Sequence, residues 1–232
     1  MRRQPTKSRR PFRSVTLALA LLLAPAGCTE PAGGPAARAP VEDRGTYLVQ
    51  VPENLKPAER LPLVFALSPA ADAAAMIRAW SAVGERHRWI IAASKRFRNG
   101  VAWDTLLPWL EAELADIEAR DPVDESRVVL TGLSGGAMGA HMFAGSRPDR
   151  LCAVVANTGM MQESLKRDDY PRGKLAVFLA SPTDFRYEEM RRDRRFLESH
   201  GWTTTWIEFR GGHTLAPPEA YEAAATWLAA HW

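Results

Sequence analysis

Five runs of this chain are apolar almost from end to end: Leu61–Leu67, Trp89–Ala93, Arg127–Thr131, Leu151–Val155 and Lys174–Ala180. A strand with one wet face alternates polar and apolar residues, so runs without alternation belong to strands covered on both sides. Between and after these runs the spacing turns helical. Asp72–His87 puts Ile77, Trp80 and Val83 on one face, and Trp103–Ala119 does the same with Leu106, Leu107, Leu110, Leu114 and Ile117, with Asp104 as its expected cap. Helices are also expected at Gly135–Ser146, Tyr187–Ser199 and Pro218–Ala230, and further strands at Thr46–Val51 and Thr204–Phe209. Buried strands alternating with helices predict an α/β fold: a mostly parallel sheet with helices on both faces and no large lid domain. Such sheets carry their sites in the loops beyond the carboxyl ends of the strands.

The 232 residues fall into three parts. Residues 1–27 hold six of the 30 basic residues and no acidic one, which leaves 24 basic against 27 acidic in the remainder. The basic excess therefore belongs to the leader, and a nucleic-acid partner is not expected. In that leader a basic segment precedes the apolar run Val15–Ala24, which is shorter than the roughly 20 residues a membrane-spanning helix needs. It reads as an export signal, and Arg9-Arg10 resembles the twin-arginine variety. Ala26-Gly27-Cys28 resembles a lipobox, with Cys28 as the lipidation site, although Pro25 stands where an aliphatic residue is usual. An exported, lipid-anchored protein is the expectation, ahead of a soluble exported one, with the membrane touched only through that anchor. Residues 28–44, rich in Pro, Gly and Ala, read as an extended linker. Residues 45–232 form the folded domain.

Chemistry enters at Gly132-Leu133-Ser134-Gly135-Gly136, which lies between the strand Arg127–Thr131 and the helix Gly135–Ser146. A Gly-x-Ser-x-Gly at a strand-to-helix turn holds its serine in a strained conformation with the hydroxyl projecting above the sheet, and the flanking glycines leave room for close backbone contacts. The Gly135 N–H then faces the point where an oxyanion would develop.

A serine hydroxyl needs a base to take its proton. Of five histidines, His213 follows the strand Thr204–Phe209 through Arg210-Gly211-Gly212 and so lies in a glycine-flanked loop at a strand's carboxyl end. His87 and His200 close charged helices, His141 sits two turns into the helix after Ser134, and His231 is next to the terminus. The acid that would orient the imidazole is expected at Asp184, four residues beyond the strand Lys174–Ala180. Asp in a Ser-Pro-x-Asp turn also caps helices, so the position admits a purely structural role.

Ser134, Asp184 and His213 fall in the chain order of the α/β-hydrolase superfamily. Pro62–Leu67, Val123–Met138 and Ser146-Arg147-Pro148-Asp149 resemble the secreted polyhydroxybutyrate depolymerase and feruloyl-esterase-type group, and also the small phospholipase/carboxylesterase-like esterases. The resemblance implies a serine hydrolase that cleaves carboxylic esters through an acyl-serine, needing no cofactor or metal, with a small-molecule or polymer-end ester as its partner. It also implies a second oxyanion donor in the loop after the strand Leu61–Leu67. Ser68-Pro69 replaces the group's usual His-Gly there, and proline offers no N–H, so the expected donor is Ala70.

Smaller signals complete the reading. Trp103, Met160 and Met161 are candidate walls of a substrate pocket, with core packing as the alternative. Arg191–Arg195 is interleaved with Glu188, Glu189 and Glu198 at helical spacing and reads as a solvated face. Cys152 reads as a small buried hydrophobe. Two rival functions stand beside the esterase: a small serine peptidase using the same triad, and a non-catalytic binding protein on the same fold, favoured by Ser68-Pro69.

Overall fold

The structure, a computed structural model, describes residues 39–232. The expected export signal, Cys28 and most of the expected linker lie outside the described residues. Eight strands form one sheet: β1 (Val41–Asp43), β2 (Tyr47–Gln50), β3 (Leu61–Leu67), β4 (Ile90–Ser94), β5 (Val123–Leu133), β6 (Ala153–Asn157), β7 (Leu175–Ala180) and β8 (Thr203–Glu208). Their spatial order is β1-β2-β4-β3-β5-β6-β7-β8. β1 and β2 run antiparallel at one edge, and the remaining six strands are mutually parallel.

The five helices are α1 (Ala73–His87), α2 (Trp103–Arg120), α3 (Gly135–Ser146), α4 (Tyr187–Ser199) and α5 (Pro218–Ala229). Alternate residues of the buried strands feed two separate cores. Leu61, Leu63, Phe65 and Leu67 of β3 face α2, α3 and α4, where they meet Leu110, Ala137 and Met190. Val64 and Ala66 face α1 and α5, where they join Trp80, Ala224 and Leu228. Each fully buried Val, Leu or Phe contributes roughly 1.5–3 kcal/mol, which is why the central strands tolerate no polar alternation.

Three differences from the sequence reading have physical causes. β1 lies inside the stretch that composition marks as linker; all three of its residues are exposed, so its pairing with β2 leaves no hydrophobic signal. β5 starts at Val123 rather than Arg127, because its polar first half pairs with Leu61 across a register shift. Helix α2 is capped by Ala102 without a side-chain bond, and Asp104 lies inside its first turn, where a carboxylate still favours the helix dipole.

Candidate active site

β5 ends at Leu133, and Ser134 is the N-cap of α3 with φ +52° and ψ −115°. That left-handed conformation is costly for a serine, and close packing enforces it. A Cβ on Gly132 would stand 2.2 Å from the Gly136 carbonyl carbon, and one on Gly136 would stand 2.0 Å from the Leu67 oxygen. Gly159, on the loop after β6, is equally constrained: a Cβ there would lie 2.4 Å from the Ser134 oxygen. The Ser134 N–H donates to the Asn157 carbonyl at 2.9 Å, which ties the turn to the end of β6.

Three of the expected residues meet here. His213 Nδ1 lies 2.8 Å from Asp184 Oδ2, and its Nε2 lies 2.8 Å from Ser134 Oγ. The carboxylate accepts from Nδ1–H, which leaves Nε2 to accept from the serine hydroxyl. The Asp184 side chain is buried, and its second oxygen accepts the Arg186 N–H at 2.6 Å, so the carboxylate is held at both ends. The exposed Phe185 ring lies 4.5 Å from the imidazole, centroid to centroid.

The loop that carries His213 turns on Gly211 (φ +155°) and Gly212 (φ +71°). Gly212 N–H donates to Ser181 Oγ at 2.9 Å. The anchor beyond the histidine is Asn157, fully buried at the end of β6. Its Nδ2 donates to the Thr214 carbonyl at 2.9 Å and to Thr158 Oγ1 at 3.0 Å. Its Oδ1 accepts from Ala216 N–H at 2.8 Å and from Tyr221 O–H at 2.6 Å. Asn157 thus grips the serine turn through its backbone and the histidine loop through its side chain. Sequence reasoning missed it, because an asparagine at a strand end carries no motif.

Beside Ser134 opens a cavity of about 570 Å³. Trp103 and Met160 line it. Met161 does not: its side chain is buried in the core, and its N–H donates to Asp193 Oδ2 at 2.7 Å. Adjacent residues of a loop point in different directions, so only one of the Met pair faces the cavity. Ala70 is also not among the lining residues, and its N–H is directed at Ser68 Oγ, 3.3 Å away. The loop after β3 is instead tied to the loop after β4, with Asn99 N–H donating to the Pro69 carbonyl at 2.9 Å. The Asn99 carboxamide packs on Gly135, where a Cβ would come within 1.9 Å of Oδ1 and 2.9 Å of Nδ2. Asn99 lines the cavity and is a polar neighbour of the serine turn that no motif announced.

The other histidines have separate duties. His141 is fully buried, and burial holds its pKa down to about 3. His87 bonds Glu222 at 2.7 Å, and His200 bonds the Phe196 and Arg167 carbonyls. Burial pushes the Cys152 thiol up to about 11. Among the described residues no group of His, Cys, Asp and Glu is arranged to hold a metal ion.

No family model and no curated protein sequence matches the chain. Solved structures do. A thermostable esterase superposes with a TM-score of 0.63 at 19% identity over 79% of this chain, which spans 58% of that esterase's length. Fluorophosphonate-binding serine hydrolase F of Staphylococcus aureus, solved with bound substrate, gives 0.62 at 14% identity, covering 78% of this chain and 91% of that one. A ferulic acid esterase gives 0.56 at 17% identity, covering 78% and 90%. At these identities the likeness lies in the architecture, and with its eight-stranded, mostly parallel sheet between two helical layers the chain has the α/β-hydrolase fold.

Proposed function

We propose that this protein is a serine hydrolase that cleaves carboxylic esters. The observation that carries the reading is the unbroken chain Asp184–His213–Ser134, with both links at 2.8 Å. His213 Nε2 takes the Ser134 proton as Oγ bonds the ester carbonyl carbon, and the carbonyl π pair moves onto oxygen. Collapse of that intermediate breaks the C–O bond, and His213 returns the proton to the departing alcohol. Water then repeats the sequence on the acyl-serine, which releases the acid and restores the hydroxyl. Asp184 stays ionised and holds the imidazole in the productive tautomer.

The oxyanion needs donors. Gly135 N–H, at the N-terminus of α3, is the first. The second was expected from Ala70, but its N–H is turned to Ser68 Oγ. The Asn99 carboxamide, packed on Gly135, takes that role in our reading.

The purified protein should be labelled by a fluorophosphonate probe and should hydrolyse p-nitrophenyl acetate. Ser134→Ala should abolish both, and Asp184→Asn should lower kcat by about 10⁴-fold. Labelling of Ser134→Ala at the wild-type rate would overturn the assignment. An aminoacyl anilide tests the peptidase reading, and absence of turnover on every substrate would leave the binding protein. Export and lipid attachment at Cys28 belong to the same proposal. Mass spectrometry of the mature N-terminus tests them, and an intact Met1 would refute export.

A further inference from the structure

We infer that the preferred substrate is an ester that carries a second, anionic carboxylate on an apolar chain; this rests on Ser134 being the nucleophile. Leu106, Met138, Met142 and Met160 give the cavity an apolar lining. The charged residues among its lining are Arg98 and Arg186, and no Asp or Glu lines it. An apolar hollow with cations and no anions favours a ligand that is apolar in its middle and negative at an end.

The topology places the two arginines on opposite sides of the nucleophile. Arg98 follows β4 and Arg186 follows β7, whereas Ser134 immediately follows β5. In the order β4-β3-β5-β6-β7 each arginine's strand is two positions from β5. At about 4.8 Å per strand, the loops rise roughly 10 Å to either side of Ser134. An anionic group on either half of the ester would therefore meet a guanidinium, one or more methylenes away from the reacting carbonyl.

The Arg98 guanidinium is free to receive it, and that of Arg186 has one N–H group engaged by Glu189 and others to offer. Arg98 is exposed and has no carboxylate within ion-pair distance among the described residues. Arg186 reaches Glu189 only at 3.5 Å, and Glu189 also faces Arg192 at 3.9 Å. The Arg186 guanidinium lies 5.1 Å from the Phe185 ring centroid, and that ring lies against His213. The stack Arg186–Phe185–His213 keeps a cation over an apolar wall beside the imidazole. A guanidinium fork matches a carboxylate with two parallel N–H bonds, a match that a lone ammonium lacks.

The test compares monomethyl adipate with the uncharged methyl hexanoate at pH 7.5, following acid release by titration. For the wild-type protein kcat/KM should favour the anionic ester by about 10-fold or more, the effect expected of a charge-assisted hydrogen bond. Raising the salt from 0.05 to 0.5 M should shrink that ratio. Arg98→Gln and Arg186→Gln should each lower it, and Arg98→Glu should lower it further; Arg98 is exposed and Arg186 half-buried, and circular dichroism checks that each variant folds. Hydrolysis of methyl hexanoate with a ratio at or below one, unmoved by salt or by either variant, would overturn this inference and leave the esterase reading standing. If neither ester is cleaved and the fluorophosphonate probe fails to label Ser134, the esterase reading itself has failed.

Discussion

Replacing Asn157 with alanine removes four hydrogen bonds and leaves the buried Ala216 N–H and Tyr221 O–H without partners, while the Thr214 carbonyl keeps the Thr158 hydroxyl at 3.3 Å. A buried orphan costs about 1–3 kcal/mol, so two would cost up to about 6 kcal/mol. The vacated carboxamide leaves room for a water, which makes roughly three hydrogen bonds in such polar sites and restores part of this. We expect a net loss of about 3 kcal/mol. For a domain of this size 1 kcal/mol moves the Tm by about 2–4 °C, so the melting temperature should fall by about 6–12 °C. The loop bearing His213 loses its anchor at the same time, and a displacement of about 1 Å at a catalytic group can cost on the order of 100-fold in rate. Calorimetry with p-nitrophenyl acetate kinetics measures both effects. Asn157 does not line the cavity, so the loss should appear in kcat rather than in KM. Asn157→Asp retains the two acceptor bonds and should fall between alanine and wild type. An alanine variant with Tm within about 2 °C and kcat within about twofold of wild type would refute the argument.

Other perturbations give equally definite expectations. Gly159→Ala forces a methyl to within 2.4 Å of the Ser134 oxygen and 2.6 Å of the Ala137 Cβ; it should slow fluorophosphonate labelling at least tenfold and destabilise the fold by about 1–3 kcal/mol, the usual cost of overpacking, which a melting curve reads. Asn99→Ala should lower kcat by about 10²–10³-fold, as loss of one oxyanion donor does; an unchanged kcat would return the role to the backbone of the Ser68–Ala70 loop. Burial on α2 pushes the Glu113 carboxyl up to about 7, against the opposing influence of Ser94 and Arg96. Its folded pKa exceeds the unfolded one, so the protonated form favours the fold. That stability is fully present below about pH 4.5 and is lost as the pH rises toward 7, at about 1.4 kcal/mol per unit. Glu113→Gln should therefore match wild type in urea melts at pH 4 and exceed it at pH 8.

The sequence by itself determined the order of elements and the layering, because both follow from local periodicity. Runs such as Leu61–Leu67 and Lys174–Ala180 have nowhere to go but a sheet covered on both faces, and helical spacing in Asp72–His87 supplies a cover. It also marked Ser134, since a serine between glycines at a strand-to-helix turn is a local feature. His213 and Asp184 could be narrowed to strand ends but not joined, because their 2.8 Å contact spans 29 residues and depends on β7 and β8 lying side by side. Tertiary structure alone decided the rest. That Met160 rather than Met161 faces the cavity depends on how one loop turns over Asp193. That Ala70 N–H turns to Ser68, that Asn99 covers Gly135 and that Asn157 fastens two loops are contacts between segments distant in sequence. Such contacts are set by strand order and loop register, and neither leaves a periodic or compositional trace in the residues that make them.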